Sequence, residues 1–213
     1  MKKTGLLTLF LCFTVWLSAF AQERGFSPMQ DVDSFKKGLE AVATSTKTIK
    51  ASFQQEKYLA ILSDKIQSEG LIRFKQPGFL RWEYNEPFEY SIVLNGKEVI
   101  VKDQGKSNTM DLSGSKSFKE INELIVNSIQ GNVLDDEKFD IEFLQSEDFY
   151  LTKLVPKEAQ MAKFVAGINV YFDKKDYAVS KVKLKEDGGD YTLISFFDKK
   201  MNEAIADEVF SNQ

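Results

Sequence analysis

The spacing of hydrophobic residues changes early in the chain. Between Val32 and Val42 apolar side chains recur every three or four positions, as they do along one face of an amphipathic helix. From Ile49 to Phe53 apolar and polar residues alternate, which is the period of a β-strand with one buried face. The pattern therefore predicts a helix that is followed directly by a strand.

Further strand-like runs continue to the end of the chain. They are bounded by turn signals such as Pro77-Gly78 and Asn95-Gly96, the second of which is typical of a tight hairpin. The predicted strands are Ile66–Lys75, Phe79–Tyr84, Glu89–Leu94, Glu98–Lys102, Phe139–Leu144, Tyr150–Val155, Phe164–Phe172, Ala178–Lys185 and Tyr191–Phe197.

A second amphipathic helix interrupts these strands. It follows a polar stretch over 107–117, in which no strand is predicted, and it ends at Gly131-Asn132. Its apolar positions are Phe118, Ile121, Leu124, Ile125 and Ile129.

About ten strands with two clear helices predict a mainly β fold of the α+β class. The expected architecture is a curved antiparallel sheet or open barrel. No repeat, low-complexity tract or linker divides the chain, so one domain is expected.

The N-terminus has the pattern of an export signal. Two lysines precede an apolar run over 6–17, and Ala19 and Ala21 are the small residues that signal peptidase requires. The apolar run is shorter than a membrane span. We therefore predict a cleaved signal peptide over 1–21, an exported protein and a single mature domain over 22–213.

A lipoprotein anchor is the competing interpretation of this N-terminus. It would use Cys12 as the lipidated residue, but Leu11 stands where a small residue is expected, and Cys12 lies inside the apolar run. The sequence therefore favours cleavage before Gln22 and a mature chain without cysteine.

Composition excludes several classes of function. The 213 residues include no histidine and one cysteine, and the formal net charge is −4. Without histidine neither a Ser-His-Asp triad nor an imidazole metal site can form. An acidic chain also lacks the basic stripe of a nucleic-acid-binding protein, so no nucleic-acid partner is expected.

The acidic clusters do not have the features of a catalytic site. They lie in turn-like polar stretches beside lysines, where solvated carboxylates are the rule. No phosphate-binding glycine loop or regular calcium-loop spacing occurs. We predict no catalytic residue, no cofactor, no metal and no enzymatic activity. The clusters considered are Asp135-Asp136-Glu137, Glu147-Asp148 and Glu186-Asp187.

Apolar side chains are abundant in the predicted mature chain, which keeps 15 of the 18 phenylalanines, all seven tyrosines and Trp82. The concave side of a curved sheet can be filled by helices as a core, or it can be partly open to hold an apolar ligand. The composition is compatible with both arrangements.

One block of sequence resembles the LolA family of periplasmic outer-membrane lipoprotein carriers. The specific part lies within 53–99, and the similarity extends over essentially the whole mature chain. The residues that carry it are Phe53-Gln54-Gln55, the run from Gly70 to Tyr84 with Pro77-Gly78 and Arg81-Trp82 inside it, Pro87, the run from Ile92 to Val99, and the later run from Leu151 to Lys157.

The resemblance implies an unclosed antiparallel β-barrel, lidded by α-helices, whose apolar cavity shelters the acyl chains of lipoproteins. Alternation would place Leu80, Trp82 and Tyr84 on one face of their strand. By resemblance the cavity residues are Phe53, Phe74, Leu80, Trp82 and Tyr84, and the lid residues are Ile121, Leu124 and Ile125. Packing of the same side chains into an ordinary core stays open as an alternative.

Gln76 departs from the family pattern. LolA sequences commonly have an arginine before this proline, and that arginine is understood to hold the lid closed by hydrogen bonding. Glutamine is uncharged and shorter, so a charge-assisted latch cannot form at this position. Lys75 or Arg73 could substitute, or packing alone could hold the lid.

The resemblance also implies partners. These are acylated lipoprotein cargo, an inner-membrane export complex of the LolCDE type and, where one exists, an outer-membrane acceptor of the LolB type. The absence of a cysteine at the predicted mature N-terminus favours the soluble carrier over the anchored acceptor. We expect a periplasmic monomer. The alternative function is a lipid- or glycolipid-binding or envelope-stress-sensing module on the same fold, and an exported enzyme is a third.

Overall fold

The structure is a computed structural model, and it describes residues 23, 25–95, 98–103, 105–111, 134 and 136–211. The predicted signal peptide, the predicted second helix and the lid residues Ile121, Leu124 and Ile125 lie outside the described residues. The turn residue Gly96 also lies outside them.

Helix α1 spans Val32–Ser45 and confirms the first helix predicted from sequence. The Asp31 side chain accepts a hydrogen bond from the Ser34 backbone N–H at 2.9 Å, which satisfies one of the free donors of the first turn. Phe35 and Leu39 are the fully buried residues of the helix, so its apolar stripe faces the protein interior.

The rest of the described chain is mainly β-structure, with one further four-residue helix, α2 (Ala159–Ala162). The strands are β1 (Ser27–Pro28), β2 (Thr48–Leu59), β3 (Asp64–Lys75), β4 (Phe79–Glu86), β5 (Tyr90–Asn95), β6 (Glu98–Asp103), β7 (Lys106–Asp111), β8 (Phe139–Gln145), β9 (Phe149–Pro156), β10 (Gly167–Asp173), β11 (Val179–Lys185) and β12 (Tyr191–Met201).

All twelve strands form one antiparallel sheet in the order β1-β8-β9-β10-β11-β12-β2-β3-β4-β5-β6-β7. Strands β1 and β7 are its two edges among the described residues, so the sheet is unclosed there. This confirms the predicted fold class. Most neighbours in the sheet are neighbours in sequence, and the main exception is the pairing of β12 with β2, which joins the two halves.

Two edge strands were missed by the hydrophobic pattern. Strand β7 lies partly in the polar stretch over 107–117, where no strand was expected, and it pairs with β6 through its backbone. The short strand β1 lies in the polar N-terminal stretch and pairs with β8. An edge strand needs no buried face, because the backbone groups of its neighbour fix it in place.

The start of β10 was also predicted too early. The strand begins at Gly167 and not at Phe164, because the chain first forms α2 and a turn in which the Phe164 N–H donates to the Met161 carbonyl at 2.9 Å. Phe164 itself is exposed.

Helix α1 packs against one face of the sheet, which we call the inner face. Under it lies an apolar cluster that includes Phe35 and Phe172, whose ring centroids are 5.4 Å apart. A second cluster occupies the inner face of β2–β6 and β12. Phe196 on β12 packs against both clusters, so the interior is continuous.

The opposite, outer face of β4–β6 is covered by the C-terminal segment, residues 202–211. Ile205 and Phe210 from this segment pack with Val93 and Ile100 in a third cluster, and Phe210 lies 5.5 Å from the ring of Phe79. The sequence patterns gave no role to this segment. Both faces of these strands are therefore buried.

None of the helices in the described part of the chain has the length and apolar character needed to cross a membrane.

Candidate functional site

The site begins with the alternation along β4. Leu80 and Trp82 are buried in the inner cluster and Tyr84 packs against it, whereas Phe79 belongs to the outer cluster. Arg81 points to the outer face, where its guanidinium donates to the Val209 carbonyl at 3.3 Å. The alternation predicted from sequence is therefore present in the structure, and the role of the Leu80 and Trp82 face as a cavity lining stays a prediction.

Five residues predicted from the family resemblance come together on the inner face, and we call them the apolar wall. Four belong to one buried cluster and the fifth packs against it. Phe74 is fully buried, and Trp82 keeps 8% of its surface exposed. The members are Phe53, Phe74, Leu80, Trp82 and Tyr84.

Aromatic contacts join the members of the apolar wall that lie around Trp82 and Tyr84. The Phe53 ring lies 4.8 Å from Trp82 and 5.1 Å from Tyr84, measured between ring centroids. Trp82 also meets Phe196 edge-on at 6.1 Å. Such tilted and edge-to-face pairs are favoured by the charge distribution of aromatic rings. Phe196 was not predicted, although the alternation along its strand contained the signal.

Gly70 allows β3 and β4 to approach closely behind these rings. It faces Phe53 on one side and Tyr84 on the other. A Cβ atom built at this position would lie 1.8 Å from the Glu83 carbonyl oxygen, which is far inside van der Waals contact. The register also shifts between Glu69 and Gly70, as at a β-bulge.

The apolar wall carries a small number of polar atoms. The Tyr84 hydroxyl donates to the side-chain oxygen of Gln55 at 2.9 Å. Burial raises the pKa of Tyr84 above its ordinary value, so the hydroxyl is neutral at physiological pH. Gln55 belongs to the family-like block, but the sequence did not predict this contact.

The indole N–H of Trp82 has no hydrogen-bond partner of ordinary geometry among the described residues. The side chain lies close enough to Tyr84 to help lower the pKa of that hydroxyl, against the larger effect of burial. A buried N–H donor without a partner is uncommon in folded proteins.

A charged cluster lies on the opposite face of the same strands. The Glu83 carboxylate accepts from Arg73 at 2.7 Å and from Arg81 at 3.2 Å. The Arg81 guanidinium is the first cause that holds the pKa of Glu83 below its ordinary value, and Arg73 adds to it. This arrangement links β3 to β4.

Gln76, at the predicted latch position, contacts the end of α1. Its side-chain nitrogen donates to the Ala43 carbonyl at 3.4 Å, and its backbone N–H donates to the Lys47 carbonyl at 2.8 Å. Lys75 and Arg73, the suggested substitutes, pair with outer-face carboxylates, Lys75 with Asp207. Substitution of the family arginine by Lys75 or Arg73, and a lid held by packing alone, both stay predictions.

The inner face is closely packed where described residues line it. An apolar cavity of about 20 Å³ lies where the two inner clusters meet, which is room for one or two water molecules. Its lining includes Ile49, Ala51, Ile72, Phe196 and Met201, and Lys199 also borders it. An acyl chain could enter here only if side chains moved apart.

A larger groove of about 440 Å³ has a different character. Its lining is polar and acidic, with Glu56, Glu69 and Glu86 among the residues, and Gln55 also borders it. Glu56 and Glu69 alternate onto the outer face, and the register shift at Gly70 places Glu86 opposite Glu69. Such a lining does not suit a hydrocarbon chain.

Exposed apolar side chains concentrate at one end of the sheet, which we call the rim. The rim carries the β2–β3, β4–β5 and β9–β10 loops, which antiparallel pairing brings to the same end. Ile61 at the tip of the β2–β3 hairpin is 91% exposed. Of the seven large exposed apolar residues described, six lie at or beside the rim: Ile61, Leu62, Ile66, Phe88, Val155 and Phe164.

No group of three or more acidic, histidine or cysteine side chains is placed to hold a metal ion within the described ranges. The apolar wall on the inner face is a buried aromatic and aliphatic surface with a few hydrogen-bonding atoms. Its chemistry suits the binding of an apolar ligand.

Comparison with known proteins agrees with this description. The family described as outer membrane lipoprotein carrier protein LolA matches residues 44–213. A protein of Xanthomonas oryzae pv. oryzae named outer-membrane lipoprotein carrier protein is 31% identical over 196 residues, which are 91% of this chain and 85% of that protein. A protein of the same name from Methylobacillus flagellatus is 26% identical and covers 81% of each chain.

Among solved structures, an uncharacterised conserved protein from Thermus thermophilus has a similar fold. The two superpose with a TM-score of 0.51 at 12% sequence identity, and the match covers 83% of this chain and 92% of the other. At this identity the likeness concerns the fold alone.

Proposed function

The chain belongs to the LolA family of outer membrane lipoprotein carrier proteins, and from this we propose that it carries lipoproteins by holding their acyl chains against the apolar wall. One observation supports this most directly. The family-like block places Phe53, Leu80 and Trp82 in a single buried cluster on the inner face of an open sheet. An apolar surface of this kind binds hydrocarbon without a catalytic group.

As a carrier of this family the protein works in the periplasm. Delivery by cleavage of residues 1–21 before Gln22 is part of the proposal, and it rests on the apolar run and the small residues that follow it.

A carrier must release its cargo, so an unfavourable contribution has to offset part of the free energy gained by burying the acyl chains. Burial of one methylene contributes ~0.8 kcal/mol, so a chain with about 15 methylenes offers on the order of 12 kcal/mol. Three such chains, fully buried at no cost, would exceed the practical affinity ceiling of ~20 kcal/mol and could not be released. The close packing of Phe53, Phe74 and Leu80 supplies such a cost, because these side chains must separate to admit cargo.

The proposed partners follow from the carrier role. The cargo is an acylated lipoprotein, the donor is an inner-membrane export complex of the LolCDE type, and the recipient is an acceptor of the LolB type where one exists. We propose that the carrier acts as a monomer.

The experiment uses purified protein spanning Gln22–Gln213 and spheroplasts whose lipoproteins carry radiolabelled acyl chains. We expect labelled lipoprotein to appear in the supernatant as a complex with the protein. The test variant is Leu80→Ser on the apolar wall, and the matched control is Leu144→Ser on β8, where the leucine is also buried but lies outside the wall. Near-ultraviolet circular dichroism establishes that each sample is folded.

Two results would contradict the proposal. Folded protein that releases no lipoprotein from cognate membranes would exclude lipoprotein carriage. If mass spectrometry then found a co-purified free lipid or glycolipid, lipid or glycolipid binding would replace lipoprotein carriage as the function. If folded Leu80→Ser and wild-type protein released equal amounts of lipoprotein, the binding surface would have to lie elsewhere than on the apolar wall.

A further inference from the structure

Three polar groups lie together on the otherwise hydrocarbon surface of the apolar wall. They are the indole N–H of Trp82, the hydroxyl of Tyr84 and the side-chain amide of Gln55. Tyr84 and Gln55 are joined by a 2.9 Å hydrogen bond, and Trp82 adjoins them through the Tyr84 ring, at 6.4 Å between centroids. We call these groups the polar cluster.

The Trp82 donor makes no hydrogen bond of ordinary geometry with the described residues, although its contact with Tyr84 helps to lower the pKa of that hydroxyl. Trp82 is more than nine-tenths buried, and its N–H lacks a hydrogen-bond partner among the described residues. Water and protein groups normally satisfy such a donor, since leaving it unpaired costs free energy. A ligand with an acceptor oxygen at this place would remove that cost.

The polar cluster lies toward the rim end of the apolar wall. Along β4 the order from the far end to the rim is Leu80, Trp82, Tyr84, and Gln55 lies on the same half of β2. Beyond Trp82, away from the rim, the described residues of the second inner cluster are aliphatic or phenylalanine, such as Leu80 and Phe74. The wall is therefore polar at one level and apolar below it.

This division matches the chemistry of an acylated lipoprotein. Each of its hydrocarbon chains begins at an ester or amide carbonyl, which accepts hydrogen bonds, and continues as methylenes, which do not. The Gln55 amide carries two N–H donors besides the oxygen that accepts from Tyr84. The cluster can therefore offer donors to more than one carbonyl.

We propose that Trp82, Tyr84 and Gln55 form a carbonyl-recognition site that fixes how deeply acyl chains enter and favours ester- or amide-linked chains over plain hydrocarbon. The inference rests on the proposed carrier function. In this role Trp82 supplies the donor, Gln55 supplies a second one, and Tyr84 positions the Gln55 amide. The hydrocarbon beyond the carbonyls lies against Leu80 and Phe74.

The test compares two synthetic lipopeptides that differ only at the carbonyl. One has two palmitoyl chains esterified to a glyceryl-cysteine, and the other has hexadecyl chains in ether linkage at the same positions. Binding to the protein over Gln22–Gln213 is measured by displacement of a fluorescent fatty acid. We expect the ester form to bind about tenfold more tightly than the ether form, as the gain from pairing a buried donor predicts.

The variants remove hydrogen-bonding groups and keep the shape of the wall. Trp82 is replaced by benzothienylalanine, which has sulfur in place of the N–H, and Tyr84→Phe removes one oxygen. Tyr90→Phe is the matched control, because Tyr90 packs 6.0 Å from Tyr84 on the same face. We expect the first two to reduce the ester preference toward unity, and the control to keep it.

The outcomes separate the two proposals. Equal binding of ester and ether lipopeptides by wild-type protein, or an ester preference that survives in both test variants, would overturn carbonyl recognition and leave the carrier function standing. Failure of both lipopeptides to bind folded protein would overturn the carrier function and the inference with it.

Discussion

Gly70 shows how a single residue determines the geometry of the apolar wall. Its missing side chain lets the Glu83 backbone approach β3, and the rings of Phe53 and Tyr84 cover the space on the inner face. Glycine is therefore required here by close approach, since no positive φ is involved.

We predict that Gly70→Ala destabilises the protein by about 1–3 kcal/mol or more, because a Cβ 1.8 Å from the Glu83 oxygen forces the strands apart. Urea denaturation measures the change. The matched control is Gly78→Ala, where the added Cβ meets nothing within 4 Å. A Gly70→Ala protein as stable as Gly78→Ala would show that the strands can separate without loss.

A second prediction at this scale concerns acid stability. Hydrogen bonds from Arg81 and Arg73 hold the pKa of Glu83 below its ordinary 4.5. Because the folded-state pKa is the lower one, the carboxylate adds stability above about pH 4.5, and this contribution is lost as pH falls through the folded pKa.

Glu83→Gln should therefore be less stable than wild type at neutral pH, and the difference should shrink as the pH falls below about 4.5. Urea midpoints across this range provide the measurement. Glu147→Gln, at an exposed carboxylate, is the control and should follow the wild-type curve. A constant difference between Glu83→Gln and wild type at all pH values would contradict the assignment.

Among the elements, the C-terminal segment 202–211 is the one that closes the outer face of the β4–β6 strands. Lys75 bonds the Ile205 carbonyl at 3.0 Å and pairs with Asp207, and Arg81 bonds the Val209 carbonyl. Phe210 then fills the space against Phe79. The strands that carry the apolar wall are thus supported from behind.

We expect Phe210→Ala to cost about 3–5 kcal/mol, the usual range for removing a buried phenylalanine. Phe88→Ala makes the same chemical change at a side chain that is 67% exposed, and it should stay within about 0.5 kcal/mol of wild type. Thermal or urea unfolding compares them. Similar stability of the two variants would mean that the segment does not stabilise the sheet.

At the scale of the whole molecule, apolar and polar groups follow one another in order from the rim along the inner face. The rim carries exposed apolar side chains, the polar cluster lies between the rim and the far end of the wall, and the described cluster residues at that far end are aliphatic or phenylalanine. Cargo that entered from the rim would leave its carbonyls beside Trp82 and place its chain ends near Phe74.

Trp82 is the only tryptophan of the predicted mature chain and can report on this direction. We predict that lipopeptides brominated near the carbonyl quench its fluorescence more strongly than lipopeptides brominated near the chain end. In the control, Trp82→Phe combined with Phe79→Trp moves the reporter to the outer face and should remove the difference. Stronger quenching from the chain ends would reverse the inferred direction of entry.

Particular elements show which features of the fold were predictable from the sequence. The helix over 32–45 and the inner face of Leu80 and Trp82 were predictable, because periodicity within a segment decides which side chains share a face. The edge strand Lys106–Asp111 was not, since its position comes from backbone pairing with β6 and not from its own polar side chains.

The sequence by itself therefore determined helix α1, most of the strands, the face of β4 that carries Leu80 and Trp82 and, through the family-like block, the residues of the apolar wall. Only the tertiary structure decided which distant segments meet. It joined Phe196 to Phe53 across the β12–β2 pairing, Gln55 to Tyr84, and the C-terminal segment to the outer face. The physical reason is that periodicity is local, whereas these contacts depend on the register between strands far apart in the chain.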